Sequence, residues 1–332
     1  MEFDHPFAAY VRILGRGRKL SRSLTMAEAE DAMAMILKGA VLPEQLGAFM
    51  MLLRVKEETP EEIAGFVRAA RASFALPDPA PQADLDWSSY AGKRRQLPWF
   101  LLAALLLSQN GVRLFMHGTE GHTPGRLYTR EVLEALGLPV ARSLAEAGRH
   151  LAARNFAYLP LEHLSAILHH IIELRPILGL RSPVHTVARL LNPLGAPCIL
   201  QGIFHRAYME THQLAAQLLG EEHMAVFRGE GGEIECRPNK SFEVRSLEEG
   251  VSSRELWSPL LPESPQPVDE DMAVDRLLSI WRGETQDDYA LAAVIGTVAI
   301  ACKALGRAGT CAQARDAAKA MWRARDKERL AA

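Results

Sequence analysis

The chain has 332 residues, 48% of them hydrophobic and 23% charged, with a formal net charge of −2. That length predicts two domains or one large one, and the composition excludes a mainly disordered chain. The longest apolar runs, 99–107 and the small-residue stretch 289–302, are shorter than the ~20 residues that span a bilayer, which argues against a membrane protein.

In chain order, Thr25-Met26-Ala27-Glu28 is a capping box, a side-chain acceptor with a carboxylate three residues on. It predicts a helix to about residue 38, stopped by Gly39. A second helix spans about 43–56, with Leu46, Phe49, Met50 and Leu53 on one face. Thr59-Pro60-Glu61-Glu62 is another capping box, with proline at the first helical position, and opens a helix to about 73. The stretch 76–84 holds three prolines in nine residues and reads as a hinge or linker. Beyond it the pattern alternates: helix 98–109, strand 111–117, helix 130–136, strand 156–159, helix 161–174, strand 198–204, helix 207–219, strand 224–227. Such alternation predicts an α/β domain with a mainly parallel sheet. The chain returns to helices at about 269–282, 286–305 and 311–329, and shows no internal repeat.

Charge is unevenly placed. Residues 246–288 hold 11 acids and three bases, so that segment carries −8 and, against the total of −2, the remainder carries +6. Asymmetry of this kind points to a polyanion partner. Cys198, Cys236, Cys302 and Cys311 include no CxxC pair, which argues against a disulfide framework or zinc site and predicts a reducing cytoplasm. The start of the chain, MEFDHPFAAY, lacks a basic stretch followed by an apolar core and does not read as a secretory signal.

Three segments carry a family resemblance. AMAMILKGAVLPEQLGAFMMLLRVKEETPEEIAGFVRAAR (32–71) closely resembles the N-terminal helical domain of anthranilate phosphoribosyltransferase and related glycosyltransferase family 3 proteins. EVLEALGLPV (131–140) resembles that family's helix after the substrate loop, and LGLRSPVHTVARLLNPLGAP (178–197) is similar to its Arg-Thr-Ile-Phe-Asn…Asn-Pro segment. The matches follow the family's order, with weaker similarity over most of the chain between them. The resemblance implies an α/β fold of the nucleoside phosphorylase/phosphoribosyltransferase type. A small helical domain would take residues 1–78 and about 160–190 from mid-chain. A larger α/β domain with a mainly parallel central sheet would take 79–332 less that insertion. A homodimer formed through the helical part is also implied.

The site motifs depart from the family. Its Gly-Thr-Gly-Gly-Asp loop lets backbone N–H groups approach the phosphates of phosphoribosyl diphosphate. The matching place here reads Ser89-Tyr90-Ala91-Gly92-Lys93-Arg94-Arg95, with one glycine left. The family's Lys-His-Gly-Asn becomes Met116-His117-Gly118-Thr119, without the phosphate lysine. The family holds magnesium on an adjacent Asp-Glu pair; the nearest candidates here, Glu233 and Glu235, are not adjacent. A hard cation on a diphosphate keeps as few as one or two protein carboxylates, so magnesium stays open. Arg175, in HHIIELR, matches the anthranilate-facing arginine. Tyr90, Gly92, His117, Gly118 and Arg175 thus mark a remnant substrate cleft. The Tyr-Ala-Gly-Lys-Arg-Arg stretch resembles a paralogous branch that has lost the anthranilate activity and binds nucleic acids without strong sequence preference.

Four basic clusters fit that branch: Arg16, Arg18, Lys19 and Arg22; Lys93, Arg94 and Arg95; Arg181 and Arg189 around His185; and Arg315, Lys319, Arg323 and Lys327, which recur at i+4 along one helix face. A solvated face or connection is the plain alternative for each. The expectation is therefore a homodimer that binds DNA or RNA backbone, without catalytic residues or a cofactor. The alternative is an active phosphoribosyltransferase using phosphoribosyl diphosphate and magnesium on an unknown acceptor.

Overall fold

The computed structural model describes residues 5–17, 19–265, 267–269 and 271–330. The N-terminal part is helical: α1 (Ala8–Gly15), α2 (Met26–Leu37), α3 (Pro43–Lys56) and α4 (Pro60–Ala72). Both capping boxes form, with the Thr25 and Thr59 hydroxyls accepting from the Glu28 and Glu62 amides. Glu62 does more than cap. Fully buried, it accepts from the Leu24 amide at 2.8 Å through one oxygen, and from Lys56 Nζ and the Thr59 amide through the other at 2.7 and 2.9 Å. A single carboxylate with both oxygens engaged ties α2, α3 and α4 together.

The second part is a seven-stranded sheet in the order β3-β2-β1-β4-β5-β6-β7. Strands β1 (Leu85–Ser89), β2 (Leu114–Gly118), β3 (Phe156–Pro160), β4 (Cys198–Ile203) and β5 (His223–Arg228) are parallel. β6 (Phe242–Glu248) and β7 (Val251–Trp257) add an antiparallel edge. Helices α5 (Trp99–Gln109), α6 (Thr129–Ala135) and α7 (Leu144–Arg154) fill the connections around β2 and β3. Four short helices follow β3: α8 (Leu161–Leu164), α9 (Ala166–Glu173), α10 (Arg175–Leu178) and α11 (Val184–Val187). Then come α12 (Tyr208–Leu218), α13 (Asp275–Arg282), α14 (Asp288–Ala304) and α15 (Cys311–Ala324).

Strand alternation sends side chains into two cores. From β5, Ala225 and Phe227 pack with α5, α14 and α15; Met224 and Val226 pack with the N-terminal helices, α9, α11 and α12. The helices after β3 thus share a core with α1–α4. No helix among the described residues is long and apolar enough to cross a membrane.

Several expectations need correcting. The C-terminal helix stops at Ala324 and not near 329, because Arg325 turns extended, donates to the Trp281 carbonyl at 2.7 Å and lies 3.8 Å over the Trp322 ring. The helix expected from 269 starts at Asp275, since the Asp269 carboxylate is engaged by the Leu97 amide and Arg276. Strand β1, the β6–β7 hairpin and α7 were absent from the sequence pattern.

Candidate functional site

In an open parallel sheet the carboxyl ends of the strands are where ligands bind. The loop leaving β1 begins with Tyr90, whose ring is buried and whose hydroxyl lies 2.7 Å from His117 Nδ1 on β2. His117 Nε2 lies 3.2 Å from Asp86 Oδ2 on β1. A hydrogen on Nε2 satisfies the carboxylate and leaves Nδ1 to accept from the tyrosine. Burial, with the Asp86 charge behind it, pushes the Tyr90 phenol well above its ordinary value, so it stays a donor.

Next, the amides of Ala91 and Gly92 point at one atom. Both donate at 2.6 Å to Glu233 Oε1, from the loop after β5. Gly92 sits at φ +68° with Tyr128 against it, where an added Cβ would lie 2.8 Å from the ring. Gly229 is packed closer still; a Cβ there would fall 1.7 Å from the Glu233 carbonyl oxygen. Two converging N–H groups in a tight turn form an anion nest. Here the anion is the protein's own carboxylate.

Lys93 is a correction to the sequence reading. It is 2% exposed and ion-pairs with the fully buried Glu235, so it cannot meet a polyanion. Glu235 Oε2 also accepts from the Phe100 amide at the start of α5, at 2.9 Å. Burial pushes the Glu235 carboxyl up, and the Lys93 ammonium pulls it back. Arg94 and Arg95 point outward and are exposed. The remnant substrate cleft at Tyr90, Gly92, His117 and Gly118 is likewise packed solid. An added Cβ at Gly118 would lie 2.1 Å from the Ser89 carbonyl oxygen. Glu235 is held through both oxygens by an ammonium and an amide, whereas Glu233 gives only Oε1 to the two amides and keeps a buried Oε2 without a partner among the described residues, so the pair offers one free carboxylate oxygen and no adjacent two-carboxylate site for magnesium as arranged. Among the described residues no cluster of three His, Cys, Asp or Glu could hold a metal.

Behind this loop the electrostatics reverse. Arg126 donates to the Ala91 and Gly92 carbonyls at 2.7 and 3.2 Å. Arg175 donates to the His122 carbonyl at 2.9 Å and to the Thr123 hydroxyl, which Arg181 reaches at 3.4 Å. The His122 and His185 rings meet edge to face at 5.3 Å. Arg189 donates to the Gly202 and His185 carbonyls at 3.2 and 2.6 Å. Arg54, on α3, faces the same space. Among the described residues none of Arg54, Arg126, Arg175, Arg181 and Arg189 has a carboxylate within 4.0 Å. Burial, then Arg175, Arg189 and Arg126, bring Arg181 down to about 10. Burial, with Arg181 and Arg175 adding to it, lowers His122 to about 4.

The remaining basic clusters lie apart. Arg16 and Lys19 are exposed after α1, Arg22 is locked to Glu28 at 2.7 Å, and Arg18 falls outside the described residues. On α15, Arg315 binds Ser258 and lies 5.7 Å over Trp257, Lys319 lies 3.6 Å from Asp316, and Lys327 lies beyond the helix end. That helix packs on the sheet face opposite the arginine cleft. Sequence reading missed Arg54, Arg126 and His122, which no local motif marks.

Residues 9–74 match the helical bundle domain of the glycosyl transferase family. The chain is 33% identical to anthranilate phosphoribosyltransferase of Methylocella silvestris over 69% of this chain and 65% of that protein. It is 31% identical to that of Beijerinckia indica over 75% and 73%. The match thus spans about two thirds to three quarters of these curated relatives. Anthranilate phosphoribosyltransferase (TrpD) from Thermus thermophilus shares the fold with a TM-score of 0.78 at 21% identity, over 95% of this chain and 97% of that one. The Saccharomyces cerevisiae structure in complex with PRPP and Mg gives 0.76 at 16% identity, over 98% and 97%.

Proposed function

This chain belongs to the anthranilate phosphoribosyltransferase-like glycosyltransferase family, and from that premise we propose that it binds nucleic acid backbone through the arginine cleft, without sequence preference. The observation that supports this most is the set of guanidinium groups at one cleft, Arg54, Arg181 and Arg189 lining it and Arg126 and Arg175 acting on Arg181, with no carboxylate within 4.0 Å of any of them among the described residues. Buried cations without counter-ions are costly, and a chain of phosphates supplies the missing charge while releasing its own counter-ions. Contacts to phosphate carry no base information, so affinity should vary little with sequence. Arg94, Arg95, Arg16 and Lys19 are exposed and extend the positive surface. The chain would act as a homodimer through the helical part, where Val55 on α3 and Ile177 on α10 stand 81% and 79% exposed. It would work in a reducing, cytoplasmic setting, in keeping with four free cysteines. Fluorescence anisotropy with unrelated single- and double-stranded oligonucleotides over a salt series tests the binding; no association at low micromolar protein and ~50 mM salt would sink it. Ultracentrifugation tests the dimer.

The second reading is a phosphoribosyltransferase, favoured by the activity named for the relatives and by the retained Arg175, His117 and Gly118. Against it stands the nest that Glu233 fills. Calorimetry with phosphoribosyl diphosphate, with and without magnesium, separates the two. Micromolar binding that a chelator abolishes would favour the transferase.

A further inference from the structure

Strand β4 ends at Ile203, and the residues that carry the chain on to α12, Phe204 to Ala207, are all exposed at the carboxyl end of the sheet. Phe204 is 52% exposed. Among the described residues no other phenylalanine, tyrosine or tryptophan is exposed; the rest are buried or half-buried. A ring left in water forgoes the burial that stabilises the others. Its place is also specific: it lines the cleft beside Arg54, Arg181 and Arg189, the cations assigned above to phosphates.

The ring has cationic and aromatic company. The Arg228 guanidinium, at the end of β5, lies over it at 5.9 Å from its centroid, within cation–π reach. The His205 ring meets it edge to face at 5.0 Å. Tyr208 lines the same cleft, and its hydroxyl accepts from Arg54 Nη1 at 3.4 Å. The backbone beneath is closely packed. A Cβ on Gly232 would lie 3.5 Å from the Phe204 Cβ and 3.4 Å from the Ala91 Cβ, so Phe204 rests on the turn after β5 and, through it, on the loop after β1. Its position is therefore set before a ligand arrives, which lowers the cost of binding.

A partner for this surface needs negative charge beside a flat apolar face. Single-stranded nucleic acid carries both in every nucleotide, a phosphate and an unpaired base. We propose that Phe204 is a base-stacking residue of the arginine cleft, taking one unpaired base of a strand whose phosphates the arginines hold. The inference rests on the backbone reading and extends it from the phosphates to the bases. Every base has a π-face, so stacking leaves sequence preference low. A fully paired duplex keeps its base faces stacked inside and meets the cleft by its phosphates.

Fluorescence anisotropy on the full chain with an oligothymidylate, an abasic strand of the same length and a blunt duplex tests this. The two single strands carry the same phosphates, so they differ only in their bases. The oligothymidylate should bind at least about fivefold tighter than the abasic strand, the lower end of what one stacked base contributes. Phe204→Ala and Phe204→Leu should each weaken the oligothymidylate by a similar factor and leave the abasic strand and the duplex within about twofold. Phe204→Trp should keep the gap. The slope of log K against log salt should not move in any of them, since no phosphate contact is lost. Thermal melting checks that each variant folds. Equal affinity for the two single strands, an equal loss on both in Phe204→Ala, or full affinity in Phe204→Leu would overturn stacking while leaving backbone binding in place. A chain that binds no oligonucleotide at all removes the backbone reading, and stacking with it.

Discussion

The loop after β1 and the arginine cleft behind it treat buried charge in opposite ways. In the loop the buried Lys93 is answered by Glu235, and the Ala91 and Gly92 amides by Glu233 Oε1. In the cleft the arginines donate to carbonyls and hydroxyls, and among the described residues no carboxylate comes within 4.0 Å of them, although Glu58 lines the same space. A paired site is completed by folding. An unpaired one is completed by something that arrives later, because leaving charge uncompensated in a dry place costs several kcal/mol. The contrast separates the part of the family's cleft that has become structure from the part still open to a ligand.

The largest effect that would break this contrast is in the cleft. Replacing Arg175, Arg181 and Arg189 together with glutamine should weaken oligonucleotide binding by roughly two to three orders of magnitude at ~0.1 M salt, and flatten the slope of log K against log salt by up to ~2.7. Anisotropy over a salt series reads both. Melting should hold or rise, because mutual repulsion is relieved.

The loop should respond in stability instead. Lys93→Met removes the ammonium that holds Glu235 down, so the buried carboxyl must take up a proton or stay unpaired, at a cost of up to about 3–5 kcal/mol by denaturant unfolding near neutral pH. Adding Glu235→Leu should recover most of that loss, while the folded fraction keeps its oligonucleotide affinity. Loss of binding without loss of stability in Lys93→Met would return that lysine to the interface.

Glu233→Ala sharpens the comparison, since it empties the nest. We expect a loss of about 1–3 kcal/mol from two unsatisfied amides. Phosphate should then raise the melting point of the variant more than that of the parent, measured by thermal shift.

The smallest effect is expected on α15. Neutralising Lys319 and Arg323 should change stability by no more than about 0.5 kcal/mol. Their side chains are exposed on the far face of the sheet, so oligonucleotide affinity should stay within about twofold.

The helices were the legible part of the sequence because their signals are local. Thr25 and Glu28, or Thr59 and Glu62, stand three residues apart and form their bonds as written. β1 was illegible because it carries Asp86, Ser88 and Ser89 where a buried strand usually shows apolar residues; those side chains pack only once β2 and β4 flank it. β7 was hidden because it is exposed along nearly its whole length and lies in the acidic stretch, so it read as charge. The candidate site shows the same limit. Lys93, Arg94 and Arg95 are one basic triplet in sequence, yet the first turns inward to a partner 142 positions away. The family resemblance points to the loop that leaves β1, but which of its cations face outward depends on pairings across the fold.

The Glu233 plug also has a consequence for competition. A carboxylate tethered by the short turn 229–233 meets the Ala91 and Gly92 amides at an effective concentration set by its own chain, in the millimolar range even for flexible tethers and higher for a rigid one. A free phosphate must exceed that local concentration before it gains any binding. The nest is therefore saturated at birth, and dissolved anions at lower concentrations pass it by.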